Sequence, residues 1–414
     1  MQGAVKYFRI ARVILLMIKL AAPSGKVTID REERDRARRY NRQKEQLFLI
    51  GLLISWVAGA VFVFSGLAAS VRRSAANLAG RGLKGQSLAV VFYSLLSWVF
   101  SLPLSFYSGY ILEHRYNLSH EKIPSWLWDH VKGLGLGLGL EVPGANLAYA
   151  VIRRWPRAWW VILTGLSLPF TVLLAQLFPV LIAPLFNKYE PVRDEQLVER
   201  LKALAAKSGI HVASVMQMDM SRRTKKANAF FAGLGPTKRI VLADTLIENF
   251  TPEEIEVIVA HEMGHQVHRD IWRGIAIGTI FTFAGSYALN RIARFILRRF
   301  GGKIGTTRLD NVATLPLLGW ILSFIGIVLM PIQNAYSRYI EREADTYALE
   351  LTKDPEAFAS AMERLAALNL ADPNPPALVK YVLHSHPPII DRVDHAREFA
   401  RDHGLPVPEP MSAD

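Results

Sequence analysis

The sequence predicts a mainly α-helical protein that crosses a membrane about six or seven times and carries a small α+β unit. Hydrophobic residues make up 51% of its 414 residues, and its mean hydropathy is +0.18. This combination is typical of membrane proteins. Long apolar stretches dominate residues 47–182, whereas residues 185–270 are more polar and show short periodic patterns. The chain is therefore predicted to combine a membrane region with a folded unit outside it.

Six apolar stretches have the length of a membrane span, at residues 47–69, 88–112, 131–152, 159–182, 271–289 and 313–332. The third contains GLGLGLGL at residues 133–140. We expect a tightly packed helix rich in small residues there, with a flexible glycine loop as the alternative. Residues 7–20 are apolar but interrupted by charge, which favours a helix at the membrane interface or a short anchor.

The net charge of +13 raises the question of nucleic acid. The basic residues, however, cluster beside the apolar stretches, at residues 34–44, 72–73, 153–154 and 291–299. Basic residues in such places bind anionic lipid head groups, and no nucleic-acid-binding motif accompanies them. We therefore expect membrane lipid as a partner and no nucleic acid. The absence of cysteine excludes disulfides and thiolate metal ligands.

We expect four parts along the chain. Residues 1–184 hold the N-terminus and four spans, 185–270 the α+β unit, 271–334 two further spans, and 335–414 a C-terminal helical region. In the α+β unit, residues 195–208 predict an amphipathic helix, and 212–218, 228–231 and 239–242 predict strands, the last two joined by a turn at 233–236. In the last part, helices are expected after Asp354 and after the HPP turn at 386–388, and residues 405–410 are expected to be disordered.

The α+β unit ends in the sequence HEMGH at residues 261–265. Residues four apart share one face of a helix, so His261 and His265 can bind the same zinc ion, and Glu262 can reach a water on that ion as a general base. Local signals favour the helix, because Thr251 can act as N-cap and Glu254 can complete a capping box. The pattern predicts one catalytic Zn²⁺ per chain.

A third zinc ligand is expected downstream, since catalytic zinc commonly takes two histidines and one carboxylate. Glu341 is the predicted ligand, and Asp345, one turn later, is predicted to hydrogen-bond a ligating imidazole. The alternative is a solvated charged helix face. Six spans leave the regions after the fourth and the sixth on the same side of the membrane, so the two halves of the site can meet.

Several further motifs occur in order along the chain: EHRYNLS at 113–119, APLFNKY at 183–189, NAFFAG at 228–233, RIVLADTL at 239–246, EREAD at 341–345 and HPPIIDR at 386–392. Together with HEMGH, they resemble the integral-membrane zinc metallopeptidases of the CAAX prenyl endopeptidase (a-factor-converting enzyme) family. The resemblance extends from about residue 35 to about residue 400. It implies a zincin-like catalytic unit. Eukaryotic members of the family have a clear additional span at the N-terminus, so the expected number of spans in this chain is six or seven.

The resemblance also implies roles for single residues. His261, His265 and Glu341 correspond to the zinc ligands and Glu262 to the base, while His386 and Arg392 are expected to face the scissile carbonyl and stabilise its oxyanion. It implies a peptide or protein substrate, with prenylated CAAX peptides as the class, and a catalytic side facing the cytoplasm.

The strand at 228–231 has two interpretations. An exposed strand beside a zinc site can bind an extended peptide as an added strand, and Asn228, Ala229 and Phe230 are then the substrate contacts. Alternatively, the small sheet only supports the catalytic helix.

We therefore predict a membrane-embedded zinc endopeptidase. The alternatives are a broad quality-control protease of membrane proteins, and a non-catalytic zinc-containing membrane scaffold, which would have no need of Glu262. An intramembrane protease is disfavoured, because the charged start of the HEMGH helix at 251–254 indicates a polar surrounding.

Overall fold

The computed structural model describes residues 31–233 and 238–411. The helices are α1 (Arg31–Phe64), α2 (Leu67–Ala79), α3 (Leu83–Arg115), α4 (Ile123–Arg154), α5 (Trp159–Leu185), α6 (Glu195–Lys207), α7 (Asp244–Asn249), α8 (Pro252–Val267), α9 (Asp270–Ile304), α10 (Leu315–Thr352), α11 (Pro355–Asn369), α12 (Ala377–Leu383) and α13 (Ile389–Asp402). The strands are β1 (Tyr189–Pro191), β2 (Ser214–Met218), β3 (Ala229–Ala232) and β4 (Arg239–Ala243). The mainly α-helical class with a small sheet is confirmed.

Among the described residues, five helices are long and apolar enough to cross a membrane: α1, α3, α4, α5 and α10. The expected span at residues 271–289 lies on α9 but is not among these five. The charged residues Arg273 and Arg291, near the two ends of that stretch, lower its mean hydropathy. This span stays a prediction. The expected N-terminal interfacial helix at residues 7–20 lies outside the described residues.

The glycine stretch at 133–140 is helical, within α4, so the alternative of a flexible loop is wrong. The expectation of tight packing is also wrong. Among the described residues, nothing lies within 4 Å of the position that a Cβ would take at Gly133, Gly135, Gly137 or Gly139. Helix α4 instead contacts α3 closer to its C-terminal end, where Asn146 bonds to Gln86 and Ser87 at 2.8 Å each. The small residues therefore leave an open face on α4.

Helix α9 packs between α5 and α10 in the helical bundle. The Trp159 indole donates to Asn290 Oδ1 at 3.0 Å, and the hydroxyls of Thr164 and Ser286 lie 2.9 Å apart. In an apolar surrounding each of these polar groups needs a partner, so the paired groups fix how α5 and α9 face each other. This packing sets the direction in which α9 leaves the HEMGH helix.

The small sheet has the strand order β1-β2-β4-β3. Strands β2 and β4 are parallel, and β1 and β3 pair antiparallel with them at the two edges. Asp194 caps the start of α6, because its carboxylate accepts from the Leu197 amide at 3.0 Å. The antiparallel pairing of β3 and β4 agrees with the predicted hairpin, while the turn residues 234–237 are not described. One face of the sheet packs on α8, which places β3 beside the HEMGH motif.

The C-terminal helices close over the α+β unit. Asp354 caps α11 by accepting from the Ala357 amide at 2.9 Å, as expected for a helix that starts there. The prediction that residues 405–410 are disordered is wrong. Leu405 packs against the core of the unit, and Arg397 Nε donates to the Pro408 carbonyl at 3.1 Å. A proline-rich segment was expected to lack partners, but α13 supplies them. The four-part division of the chain stays a prediction.

Candidate active site

Helix α8 carries the HEMGH motif and is defined at its start by the predicted capping box. The Thr251 hydroxyl accepts from the Glu254 amide at 3.3 Å, and the Glu254 carboxylate accepts from the Thr251 amide at 2.9 Å. Glu254 also pairs with Arg364 on α11 at 3.0 Å. Ile255, Val257 and Val259 are buried in the core of the unit. The start of α8 is thus closed by its own capping box and tied to α11, which determines where its second half points.

His261, His265 and Glu341 form the one group of three metal-ligand side chains found among the described residues. One ligand atom from each lies within 4.8 Å of the others. His261 Nε2 lies 3.3 Å from Glu341 Oε2, and His265 Nε2 lies 3.7 Å from Glu341 Oε1. Two ligand atoms on a tetrahedral zinc, each about 2.0–2.2 Å from it, lie roughly 3.4 Å apart. The spacing therefore fits a single ion of this size.

The buried Glu341 Oε2 provides a direct test of whether a metal fits. This atom has no hydrogen-bond partner among the described residues. A buried carboxylate oxygen without a donor is unfavourable, and the two imidazole Nε2 atoms beside it are lone-pair donors when the rings carry their protons on Nδ1. A cation between the three groups satisfies all of them.

Carboxylates orient both imidazoles from behind. His261 Nδ1 donates to Asp345 Oδ1 at 2.8 Å, and His265 Nδ1 donates to Asp270 Oδ2 at 2.9 Å. These bonds place the proton of each ring on Nδ1 and leave Nε2 free to bind a metal, as metal-ligating histidines require. The sequence predicted that Asp345 would hydrogen-bond a ligating imidazole, and in the structure that imidazole is His261.

Asp270 was missed by sequence reasoning. It lies five residues after His265, beyond the end of α8, so helical spacing does not relate the two. Arg269 between the helices has φ 57° and turns the chain, which brings the start of α9 back towards His265. A non-glycine residue with this backbone conformation is uncommon and often lies near a functional site. The acidic residue five positions after the motif was the available signal.

Arg392 is buried behind His261 and contacts Asp345. Its Nε donates to Asp345 Oδ2 at 2.9 Å. Its Nη2 donates to Asp345 Oδ1 and lies 3.3 Å from His261 Nδ1. The expected position of Arg392 facing the scissile carbonyl does not follow from these contacts. They connect it to the metal cluster through Asp345, because a bidentate guanidinium fixes the orientation of a carboxylate.

His386 lies at the open side of the cluster. Its Nε2 is 3.3 Å from Glu341 Oε1, and 62% of its side chain is exposed. The Ser385 hydroxyl lies 2.9 Å from His386 Nδ1 and can hold the ring orientation. His386 is therefore close enough to contact a molecule bound at the cluster, and exposed enough for that molecule to reach it.

Gly264 allows α8 and α10 to approach closely at the cluster. A Cβ at this position would lie 3.0 Å from Ala344 Cα and 3.2 Å from Tyr347 Cβ. Since α8 carries the two histidines and α10 carries Glu341, this close approach sets the distance between the two halves of the site.

Strand β3 lies at the edge of the sheet, which is the position that an added peptide strand requires. Asn228 is exposed, Ala229 is buried and Phe230 is half-buried. Ala229 packs in the same core as α8, so the strand lies beside the helix that carries the histidines. The outer edge of β3 has no partner strand among the described residues.

The comparisons with known proteins agree with this geometry. Residues 191–400 match the family model of peptidase family M48. The chain belongs to peptidase family M48. Residues 18–188 match a second family model, described as the CAAX prenyl protease N-terminal region with five membrane helices. The resemblance drawn from the motifs is thereby confirmed.

Individual relatives of this M48 peptidase align over most of its length. An uncharacterized metalloprotease of Bacillus subtilis, YhfN, is 32% identical over 87% of this chain and 85% of its own. CAAX prenyl protease 1 of Saccharomyces cerevisiae is 27% identical over 88% of this chain and 86% of its own. The crystal structure of S. mikatae Ste24p superimposes with a TM-score of 0.80 at 24% identity, covering 90% of this chain and 92% of that one, and shows the same fold.

The M48 peptidase described here is therefore an integral membrane metalloendopeptidase that hydrolyses peptide or protein substrates. Electrostatics in its site suit a hydrolase. Burial raises the pKa of the Glu262 carboxyl, although the neighbouring histidines oppose that effect. Burial lowers the pKa of His261, but the neighbouring carboxylates of Asp345 and Glu341 outweigh that and raise it from 6.5 to about 9. The carboxylates that favour a proton on His261 also favour a metal cation.

A cavity of about 670 Å³ opens beside His265 in this M48 peptidase. Helix α5, the start of β4 and the junction of α8 with α9 form its wall. The polar lining residues are Gln176, Lys238, Gln266 and Arg269, with Trp272 at the start of α9. The cavity thus lies between α5 and the catalytic unit, and His265 of the metal cluster is one of its lining residues.

Proposed function

We propose that this M48 peptidase is a zinc-dependent endopeptidase in which Glu262 is the general base. The observation that carries the proposal is the cluster of His261, His265 and Glu341, with an unpartnered buried carboxylate oxygen and Glu262 adjacent to the first histidine. Two histidines and one carboxylate are the donor set of catalytic zinc, which leaves one position open.

The residues of the chain have separate tasks in this mechanism. His261, His265 and Glu341 would hold the zinc, which when bound supplies Lewis-acid chemistry that lowers the pKa of water and polarises a carbonyl. Glu262 takes a proton from the attacking water and returns it to the leaving amine nitrogen. Its raised pKa suits both steps, because a base that must also act as an acid works best when its pKa is near the working pH.

His386 is proposed to donate a hydrogen bond to the oxyanion that develops on the scissile carbonyl. Its proximity to Glu341 and its exposure support this role. Asp345 and Asp270 are proposed to orient the two imidazoles. For Arg392, direct contact with the carbonyl stays a prediction, and its bidentate pairing with Asp345 supports a role in holding that carboxylate.

Strand β3, together with Asn228 directly before it, is proposed to bind the substrate as an added strand, through Asn228, Ala229 and Phe230. Its free edge beside α8 supports the proposal, because unpaired backbone groups can hydrogen-bond an extended peptide. We further propose prenylated CAAX-type peptides as a substrate class and a cytoplasmic catalytic side, by similarity to the CAAX prenyl proteases.

The test compares the detergent-purified protein with Glu262→Gln on two quenched peptides, one farnesylated and one not. We expect Glu262→Gln to lower kcat by about 10²–10⁴-fold, with zinc still bound as measured by elemental analysis. Preference for the farnesylated peptide supports the CAAX class, and equal cleavage of both supports a broad quality-control protease. Undiminished cleavage by Glu262→Gln would refute the mechanism, and bound zinc without cleavage of either peptide would contradict the proposed substrate class.

A further inference from the structure

Two of the motifs in the chain, residues 113–119 and 183–189, lie at the ends of membrane helices and supply none of the metal-cluster residues. Both contact the same segment, residues 220–228, which runs directly into β3. We call this segment the docked loop. Its position matters because it leads to the strand edge beside α8.

The first motif binds the docked loop through backbone and hydroxyl groups. The Leu118 carbonyl accepts from the Thr224 hydroxyl at 2.9 Å and from the Lys225 amide at 3.0 Å. The Ser119 hydroxyl donates to the Arg223 carbonyl at 2.7 Å, and Ser119 forms an isolated antiparallel bridge with Thr224. The end of α3 is therefore joined to the loop by several bonds in a row.

The second motif binds the same loop through Arg223. One guanidinium nitrogen donates to the Phe186 carbonyl at 2.5 Å and to the Asn187 side chain, and another pairs with Asp129 on α4. Arg222 also donates to the Phe186 carbonyl, at 3.1 Å. The end of α5 and the start of α4 thus hold the loop from a second side.

Nearest to the strand, the loop is held by an ion pair and by an amide side chain. Lys226 Nζ lies 2.7 Å from Glu113 Oε2 and donates to the Tyr40 hydroxyl at 3.1 Å, while that hydroxyl donates to Glu113 Oε1. The Ala227 amide donates to Asn369 Oδ1 at 3.0 Å. Tyr40 is buried, and the side chains of Glu113 and Lys226 are 14% and 28% exposed.

The three side chains of this ion-pair group, Tyr40, Glu113 and Lys226, connect α1 and α3 of the membrane region to the start of β3. Loss of one partner from a poorly exposed ion pair leaves a charge without compensation, so the surviving residue must move towards water. Lys226 lies two residues before Asn228. A movement of Lys226 therefore displaces the first residue proposed to bind substrate.

We propose that Tyr40, Glu113 and Lys226 are positioning residues that hold the edge of β3 at the distance from α8 that a bound peptide requires. The inference rests on the proposed function, because it needs β3 to bind the substrate backbone. A peptide that adds to a strand edge and also reaches the metal cluster must meet both at once, so displacement of the strand weakens binding.

The test measures kcat and KM for cleavage of the quenched peptides described above, with the full-length protein. The variants are Lys226→Met, Glu113→Gln and the charge exchange that combines Glu113→Lys with Lys226→Glu. We expect Lys226→Met to raise KM roughly tenfold with kcat changed by less than about twofold, the pattern for lost ground-state and transition-state binding alike. The charge exchange is expected to restore KM to within about threefold of the original value, since it re-forms the ion pair. Metal content is expected to stay unchanged in each variant.

Lys225→Met is the matched control, because Lys225 is an exposed neighbour in the same loop. An unchanged KM in Lys226→Met, no rescue by the charge exchange, or a fall in kcat that accompanies loss of metal would each overturn the inference. If Lys226→Met fails to fold, Tyr40→Phe removes only the shared hydroxyl and is expected to raise KM several-fold. Failure of the proposed function is recognised separately, by cleavage that persists in Glu262→Gln.

Discussion

Asp270 and Asp345 illustrate how much of the site depends on single hydrogen bonds behind the proposed ligands. Each carboxylate accepts from the Nδ1 of one histidine, and each is itself held by an arginine, Arg273 at 2.9 Å for Asp270 and Arg392 for Asp345. Arg273 also reaches Glu343 at 2.7 Å. Glu343, two residues from Glu341, thus faces a different partner, as expected from helix geometry.

Asp270→Asn is expected to lower the metal affinity of the site about 10–100-fold, the usual effect of losing a carboxylate behind a ligating histidine. The amide keeps the volume but binds the Nδ1 proton of His265 less strongly. Competition with a calibrated chelator measures the affinity, and Glu350→Gln, an exposed change on α10, is the control. Equal affinity in the original protein and Asp270→Asn would remove Asp270 from the site.

Metal affinity is also expected to depend on pH. The pKa of His261 is raised to about 9 in the absence of metal, so at neutral pH a metal must displace its proton. Affinity should therefore rise as pH increases from 7 towards 9, by about tenfold per unit for one proton released. Chelator competition at several pH values measures this slope, and an affinity that stays constant across that interval would contradict it.

His386→Ala is expected to lower kcat by roughly 10²-fold, the effect of removing one hydrogen-bond donor to an oxyanion. Bound metal should be retained, because His386 lies outside the three-residue cluster. His384→Ala is the control, since His384 is a half-buried neighbour on the same turn. A variant with full kcat would show that His386 only completes the turn before α13.

At the scale of elements, the site depends on the contact between α8 and α10. Each helix could be predicted from local signals: the capping box for α8, and an apolar span continued by the EREAD pattern for α10. The distance between them could not, because it depends on Gly264 meeting Ala344 and Tyr347, which are about eighty residues away in the chain.

Gly264→Ala is expected to lower metal affinity by about tenfold or more, because a Cβ at 3.0 Å from the backbone of α10 forces the helices apart by a few tenths of an ångström. The loss should occur even though alanine favours helices over glycine by about 1 kcal/mol. Gly278→Ala on α9 is the control, since a Cβ there meets nothing within 4 Å among the described residues. If both variants bind metal normally, the helix contact is more adaptable than the geometry indicates.

At the scale of the whole molecule, the antiparallel α9 and α10 separate the catalytic unit from the loop that joins them. Arg308 lies in that loop with 77% of its side chain exposed, whereas Arg401 is exposed near the end of α13, in the catalytic half. If α9 and α10 both cross the bilayer, these two residues lie on opposite sides of the membrane.

The absence of cysteine makes this arrangement directly testable. In intact bacterial cells that express the protein, a membrane-impermeant thiol reagent is expected to label Arg308→Cys and to label Arg401→Cys only after permeabilisation. The unmodified protein is the control for background. Labelling in the opposite order would place the catalytic side outside the cytoplasm, and labelling of both residues in intact cells would contradict a membrane crossing by α9 and α10.

Much of the fold could be predicted because membrane spans, helix caps and strand patterns depend on residues that are neighbours in the sequence. The spacing of His261 and His265 follows from one helix. Glu341 was predicted from the ligand set of catalytic zinc, and an even number of spans between the two parts of the site supported that choice. Local periodicity could not show that the glycines of α4 lie on an open face or that the last residues dock on α13.

The sequence by itself determined the class of protein, five of the six predicted spans and the three residues that are suited to bind one metal. Only the tertiary structure decided that Asp270 turns back to His265, that Arg392 lies behind His261, and that Glu113 pairs with Lys226 across 113 positions. The physical reason is that each of these contacts joins groups whose separation depends on the packing of several helices at once. Such packing is a property of the folded chain as a whole, whereas spacing along one helix is not.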